Sequence, residues 1–227
     1  DIGDVDETWP LHERCQSLLH ARVPYLFDCN YVRVEEILNT VRATVEAYPS
    51  TFLALRVEDM YATHCVEMLR LAEASDAMRK ADEIARTLDP QLTHYDLRET
   101  RVRLAIAQNV DSFDGELWKR VLKPLLDVAP GRLRVVVLAD AAIGLARTGE
   151  RRILSSVVEE LASQWKRITR VCPFDYPCVA LGAGLSSLGR RSDALTLTNE
   201  YLDGLRVARH GPSPLVLALA DEFALPF

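Results

Sequence analysis

Ser75-Asp76-Ala77-Met78 recurs in this chain as Ser192-Asp193-Ala194-Leu195, and the two copies lie 117 residues apart. That offset is three times 39. Turn-forming residues occur at steps of about this size, counted back from the one just before the second copy: Gly189, Gly149 and Asn109. Each of these residues follows one apolar helical stretch and precedes another. A fixed period of this kind predicts an array of helical repeats.

Apolar residues recur at helical spacing through most of the chain. Only the run 135–138 is β-like, and it lies in an alanine-rich helical context, so the sequence predicts an all-α protein. We expect Pro24 to stop the first helix and Pro124 to kink the sixth, because proline removes an intrahelical hydrogen bond. The predicted helices are Leu11–Val23, Tyr31–Tyr48, Phe52–Ala72, Asp76–Leu88, Leu92–Ala107, Gly115–Val128, Leu133–Arg147, Arg152–Val171, Pro177–Leu188, Ser192–Arg209 and Leu215–Ala224.

The segment 178–202, CVALGAGLSSLGRRSDALTLTNEYL, resembles a tetratricopeptide (TPR) repeat. That family has Leu-Gly in the first helix of a pair, Gly in the turn, and a small Ala where the two helices cross. The preceding pair keeps Ala142 at the close-approach position but has Leu154 where the family has Ala. The positions that match the repeat pattern are Ala77, Gly149, Leu181, Gly182, Gly189 and Ala194.

The resemblance implies antiparallel helix pairs stacked into a right-handed TPR-like α-solenoid. It covers roughly 52–225. We expect 1–51 to be a lead-in with the first helices, continuous with 52–227 as one domain. The period, about 39–40, exceeds the family's length of about 34. Longer helices of this kind resemble the TPR-like sensor domains of large bacterial ATP-dependent transcription activators.

Composition limits the classes of function. The 227 residues carry a net charge of −6 with both signs interleaved, which disfavours binding to nucleic acid or to an acidic membrane. No signal peptide and no membrane-length apolar run occurs, so we expect a cytoplasmic protein. The five cysteines are an odd number without a CxxC motif, which favours reduced thiols, although a bridge between Cys172 and Cys178 stays open. The chain begins at Asp1, which suggests a piece of a longer protein.

Two motifs suggest chemistry and are better explained by packing. Gly182-Ala-Gly184 lies in a glycine-rich run, but a dinucleotide loop needs a preceding strand and a third glycine where Ser187 stands. His12, Cys15 and His20 share one predicted helix, yet a zinc site usually needs four ligands. We therefore expect no metal, no cofactor and no catalytic residue.

Certain first-helix positions face the concave side of a TPR stack, so the resemblance implies a binding face here. Arg70, Arg103 and Arg147 recur on it at intervals of 33 and 44 residues, which suggests a rough basic ladder for an acidic partner. Alternatively, these arginines pair with nearby acids and only stabilise the stack. The predicted face comprises Asp59, Arg70, Asp96, Glu99, Arg103, Arg147, Tyr176 and Ser186.

These features favour a scaffold that binds a protein or peptide, with self-association open. A second hypothesis is the sensor or oligomerisation segment of a multidomain bacterial signalling or transcription regulator. A third, an all-α enzyme, is disfavoured, because the apolar stripes lack the paired inward carboxylates of a helical metalloenzyme.

Overall fold

The computed structural model describes residues 10–27, 30–47, 51–88, 97–108, 120, 122–128, 131–168, 175–205 and 211–226. Throughout these ranges the regular structure is helical and no strand occurs, which confirms the all-α prediction. The β-like run 135–138 lies inside a helix. The helices are α1 Leu11–Phe27, α2 Tyr31–Val45, α3 Phe52–Glu67, α4 Leu71–Thr87, α5 Arg98–Ala107, α6 Lys123–Val128, α7 Gly131–Thr148, α8 Arg151–Ile168, α9 Asp175–Ser187, α10 Arg191–Leu205 and α11 Pro214–Glu222.

The chain divides into two compact units, Asp1–Leu104 and Ala105–Phe227. In the first unit α3 is central, because it packs against both α2 and α4 and is buried along most of its length. Thr51 starts α3 by accepting a hydrogen bond from the N–H of Ala54 at 3.1 Å. The amphipathic α4 turns a narrow small-residue face to α3, with Ala74, Ala77, Met78 and Ala81 buried.

In the second unit α9 is central and packs against α7, α8, α10 and α11. Every residue from 176 to 185 is buried. A helix that is apolar all round belongs in a core. Two glycines of α9 let neighbouring side chains approach its backbone closely. A Cβ atom on Gly182 would lie 2.9 Å from Leu225 Cδ1, and one on Gly184 would lie 2.5 Å from Val158 Cγ2 on α8. The glycines of the GAG segment therefore serve helix packing.

The same turn closes three helices. The central residue of the turn has a positive φ. The residue after it donates its N–H at 2.8 Å to the carbonyl of the residue five positions before the donor, as in a Schellman motif. The central residues are Leu69 at +56°, Gly189 at +82° and Ala224 at +52°. Gly149 also has a positive φ, of +73°. Asn109, the other predicted turn residue, lies outside the described residues.

These turns revise the repeat register. α3 ends at Glu67 and α9 at Ser187, while α4 begins at Leu71 and α10 at Arg191, so both boundaries are offset by 120 residues. The recurring sequence phrase is offset by 117. Ala194 therefore corresponds to Ala74 and not to Ala77. The structural period is one third of the larger offset, which agrees with the positions of the turn residues Gly149 and Gly189.

Two of the predicted helix ends were wrong. Pro24 lies inside α1, which continues to Phe27. The helix predicted from Phe52 to Ala72 ends at Glu67, because Leu69 takes the left-handed conformation without being glycine. Pro124 is the second residue of α6, and the preceding residues Arg120 and Leu122 are π-helical. The kink at Pro124 stays a prediction.

Candidate functional site

The predicted binding face is largely buried or internally paired. In the second unit, Tyr176 on α9 donates a hydrogen bond from its hydroxyl to Oδ1 of Asp140 on α7 at 2.7 Å. Tyr176 is 7% exposed and Asp140 is fully buried. The phenol therefore donates to one oxygen of an interior carboxylate. Ser186 is half-buried.

Arg147 lies at the end of α7 and is held by two different helices. Its guanidinium contacts both carboxylate oxygens of Glu222 on α11 at 2.7 Å and donates to the carbonyl of Ile106 at 2.7 Å. All three of its guanidinium nitrogens are thereby engaged. This fork matches a carboxylate in a way that a lysine ammonium does not.

In the first unit, Asp59 and Arg103 are also interior residues. Thr100 donates from its hydroxyl to Asp59 Oδ1 at 2.6 Å, which ties α5 to α3. Arg103, 7% exposed, has its Nη1 atom 3.7 Å from Oε1 of Glu67. Both residues hold helices together. Asp96 and the side chain of Glu99 lie outside the described residues.

Arg70 belongs to a polar cluster that sequence reasoning missed. Its Nη1 atom is 2.6 Å from Oε1 of Glu35 on α2 and 3.5 Å from Oε2 of Glu73 on α4. The other oxygen of Glu35 lies 3.5 Å from Nε2 of His64 on α3. We call Glu35, His64, Arg70 and Glu73 the α2–α4 cluster. Among the described residues, Arg70, Arg103 and Arg147 each lie within ion-pair distance of a glutamate on another helix.

Tyr61 extends the α2–α4 cluster. Its hydroxyl donates to Glu73 at 3.1 Å, and the guanidinium of Arg42 lies 3.8 Å from its ring centroid. Arg42 in turn makes a two-point contact with Glu58, with both distances 2.9 Å. One face of the Tyr61 ring therefore contacts the guanidinium of Arg42, and the Tyr61 hydroxyl bonds to the carboxylate of Glu73.

Burial controls the ionisation of the cluster. It lowers the pKa of His64, against the opposing charge of Glu35. Burial alone would raise the pKa of Glu35, but the hydrogen bond and charge of Arg70 outweigh it and lower that pKa. Burial, with the charge of the neighbouring Cys65, raises the pKa of Tyr61 to about 12. At neutral pH the cluster therefore holds an uncharged imidazole and a protonated phenol beside Arg70, which lies between the carboxylates of Glu35 and Glu73.

His64 could have been singled out from the repeat register. It lies five residues before the turn residue Leu69, and the corresponding positions before Gly149 and Gly189 are Gly144 and Gly184. All three positions are buried. The signal was hidden because Leu69 does not look like a turn residue. No comparable sequence signal points to Glu35, because it contacts His64 and Arg70 only through tertiary packing.

The residues considered for a metal site face different ways. Cys15 is fully buried, whereas His12 and His20 are exposed on the same helix. Within the described ranges no three His, Cys, Asp or Glu side chains are grouped to hold a metal ion. Cys29 and Cys172 lie outside those ranges, and Cys178 is buried.

An exposed basic edge remains in the second unit. The hydroxyl of Ser187 donates to the carbonyl of Ala146 at 3.4 Å, so the ends of α7 and α9 lie side by side. The helices that follow both begin with exposed arginines. We call these the turn-edge arginines: Arg151, Arg152, Arg190 and Arg191.

Only one of the turn-edge arginines has its side chain paired with a described residue. Arg190 contacts Asp193 at 2.7 Å, while the guanidinium groups of the other three form no hydrogen bond or ion pair within the described ranges. Glu150 and Asp193 are the acidic residues beside them. The edge therefore carries guanidinium groups that are available to an outside carboxylate.

Comparison with family models, with curated proteins and with solved structures gives no significant match to this chain. None of the described helices combines the length and the apolar character that a membrane span requires.

Proposed function

We propose that this segment is a helical-repeat scaffold of the TPR-like solenoid type, which binds a protein or peptide partner. The observation that carries the proposal is the repeated helix pair. A buried first helix, a left-handed turn and an amphipathic second helix recur with one common period, as α3–α4, α7–α8 and α9–α10. Stacked pairs of this kind present extended surfaces.

The second unit supports stacking of successive pairs. α9 packs against both helices of the pair before it and also against α10 and α11. Gly184 admits α8, and Gly182 admits Thr198 of α10. The α9–α10 pair therefore buries its apolar face against the α7–α8 pair, which is the property that lets a repeat array grow along one axis.

The turn-edge arginines are the proposed contact surface, and an acidic segment is the proposed partner. Among the described residues, three of them have no carboxylate partner, unlike Arg70, Arg103 and Arg147. The turn-edge arginines follow adjacent turns, so they can bind successive carboxylates of one extended chain. Guanidinium groups bind carboxylates through paired hydrogen bonds. The positive ends of the α8 and α10 dipoles favour the same ligand charge.

A direct binding measurement tests this surface. A fluorescently labelled glutamate-rich peptide is titrated with the chain and followed by anisotropy, at low salt and at physiological salt. We expect saturable binding that Arg152→Glu/Arg191→Glu abolishes. The matched control is Lys80→Glu/Arg86→Glu, which makes the same charge change at exposed positions of α4.

Equal loss in both double variants would mean that binding depends only on net charge, and the surface assignment would be wrong. Absence of binding by the unmodified chain would reject an acidic partner. Affinity capture from the native source, with the two double variants in parallel, then tests whether a protein partner binds the turn-edge arginines.

A sensor or oligomerisation segment of a larger regulator is the second candidate. The spacing between the turn residues Gly149 and Gly189 favours it, since it is longer than a standard TPR repeat of about 34 residues. Light scattering across a concentration series tests self-association. A mass that stays at the monomer value of 25.5 kDa would contradict the oligomerisation role.

A further inference from the structure

His64 occupies a helix position that is glycine in the other two described pairs. On α9, the glycine at this position leaves no room for a side chain, because an added Cβ would lie 2.5 Å from Val158 Cγ2 on α8. On α3 the same position carries a complete imidazole. Its Nε2 atom lies 3.5 Å from Glu35, and its ring centroid lies 6.5 Å from that of Tyr31, both on α2. The imidazole therefore fills the α2–α3 interface.

The imidazole is almost sealed from water. Its side chain is 3% exposed, and Nε2 forms no hydrogen bond with any described residue. Arg70 Nη1 lies 2.6 Å from Oε1 of Glu35, the oxygen of that carboxylate that does not face His64. The polar groups that face His64 come from α2 and from the start of α4, and they are Glu35, Tyr31, Arg70 and Glu73.

We propose that His64 is a proton-sensitive latch between α2 and α3, closed while the imidazole is neutral and opened when it is charged. A buried imidazolium needs partners for its N–H groups, and burying a charge without them is costly. Glu35 offers it only Oε2, at 3.5 Å, while Arg70 holds the other oxygen and its positive charge repels the imidazolium. Movement of α2 away from α3 lets the charged ring reach water.

The pKa of His64 agrees with this geometry, since burial lowers it from the ordinary value of 6.5. The closed form therefore resists protonation, and acid favours any form in which the ring is exposed. The latch acts within the first unit and is independent of the partner surface proposed for the second.

Hydrogen exchange measured by mass spectrometry tests the latch on the whole chain. Protection of the α2 amides is compared at about pH 7.5 and about pH 5.5, which bracket the ordinary histidine pKa, after correction for intrinsic exchange. We expect α2 protection in the unmodified chain to fall several-fold at the lower pH. His64→Gln should abolish that fall, because glutamine keeps an amide in the gap but cannot take a proton.

His20→Gln is the matched control, because His20 is an exposed histidine of the same unit. It should retain the fall in α2 protection. Two results would overturn the latch: equal α2 protection at both pH values in the unmodified chain, or an undiminished fall in His64→Gln.

If His64→Gln fails to fold, NMR titration of the unmodified chain decides. The expected result is a His64 midpoint below 6.5 that coincides with the midpoint of α2 opening. A His64 midpoint at or above 6.5, or α2 opening at a different pH, refutes the proposal.

Discussion

Arg147 and Glu222 form a two-point ion pair between helices that are far apart in sequence, with both nitrogen–oxygen distances at 2.7 Å. The third guanidinium nitrogen of Arg147 reaches the carbonyl of Ile106. We expect Arg147→Lys to lower the free energy of unfolding by roughly 1–2 kcal/mol, because lysine cannot make these contacts at once. Urea denaturation measures the change.

Arg79→Lys is the matched control for that prediction. Arg79 pairs with Asp76 and Glu83, but its side chain is 58% exposed, so the pair is screened by solvent. Its replacement should leave stability almost unchanged. Equal effects of the two substitutions would contradict the structural role of Arg147.

Gly184→Ala should be more destabilising than Gly182→Ala. The new methyl group at 184 meets Val158 Cγ2 at 2.5 Å, and a β-branched side chain cannot turn away from it easily. At 182 it meets the flexible end of Leu225 at 2.9 Å. We expect a loss of roughly 1–3 kcal/mol for Gly184→Ala, measured by thermal or urea unfolding. Adding Val158→Ala should restore part of it, and failure to do so would place the clash elsewhere.

Ala194→Leu should overpack the crossing of α9 and α10. Ala194 is fully buried, so extra methyl groups force the helices apart at a cost of roughly 1–3 kcal/mol. Thr196→Leu on the exposed side of the same helix is the control and should be nearly neutral. An unchanged melting temperature for Ala194→Leu would reject this packing.

The left-handed turns predict substitutions of opposite sign. Gly189→Ala should lower the free energy of unfolding by roughly 1 kcal/mol, because a φ of +82° is unfavourable for alanine. Steric contact is not the reason, since the added methyl group meets no atom within 4 Å. Ala224→Gly should raise the free energy of unfolding by roughly 0.5 kcal/mol, because it relieves the strain of an exposed alanine at a φ of +52°. The greater conformational entropy of glycine in the unfolded chain offsets part of this gain. Chemical denaturation of both variants checks the signs, and two losses would contradict the prediction.

Tyr61 predicts a weakness at alkaline pH. Its pKa is raised to about 12 in the folded protein, so the unfolded chain releases the phenolic proton first. The stability it contributes is complete below about pH 10, the ordinary tyrosine pKa, and is lost as pH rises towards 12. Tyr61→Phe should remove this part of the loss. Free energies of unfolding across the window measure it, and an identical decline in both proteins would contradict it.

Local signals predicted the helices and much of their pairing. Gly149 and Gly189 mark two turns because only glycine adopts a positive φ without strain, and the small residues around Gly182 indicate a close crossing. The same reasoning could not find Leu69, since a leucine in that conformation is held by the surrounding structure and not by its own preference.

The predicted binding face illustrates the limit for side chains. Sequence spacing placed Arg70 and Arg147 on first-helix positions or beside them but could not say which acid each would meet. Their partners, Glu35 and Glu222, lie on helices distant in sequence, so the pairing depends on how whole helices pack. Tyr176 was likewise expected at a surface, and only the position of Asp140 on α7 explains its burial.

The 120-residue offset fixes where segments of this protein can be exchanged. A chimaera that joins α3 to α10 by matching the turns keeps Arg70 and Arg190 equivalent, and both second helices then start in phase. A join made by matching the recurring tetrapeptides shifts the second helix by three residues, which rotates its apolar face by about 60° and displaces it by about 4.5 Å along the helix axis. The turn, rather than the most similar residues, is therefore the natural unit of recombination in this chain.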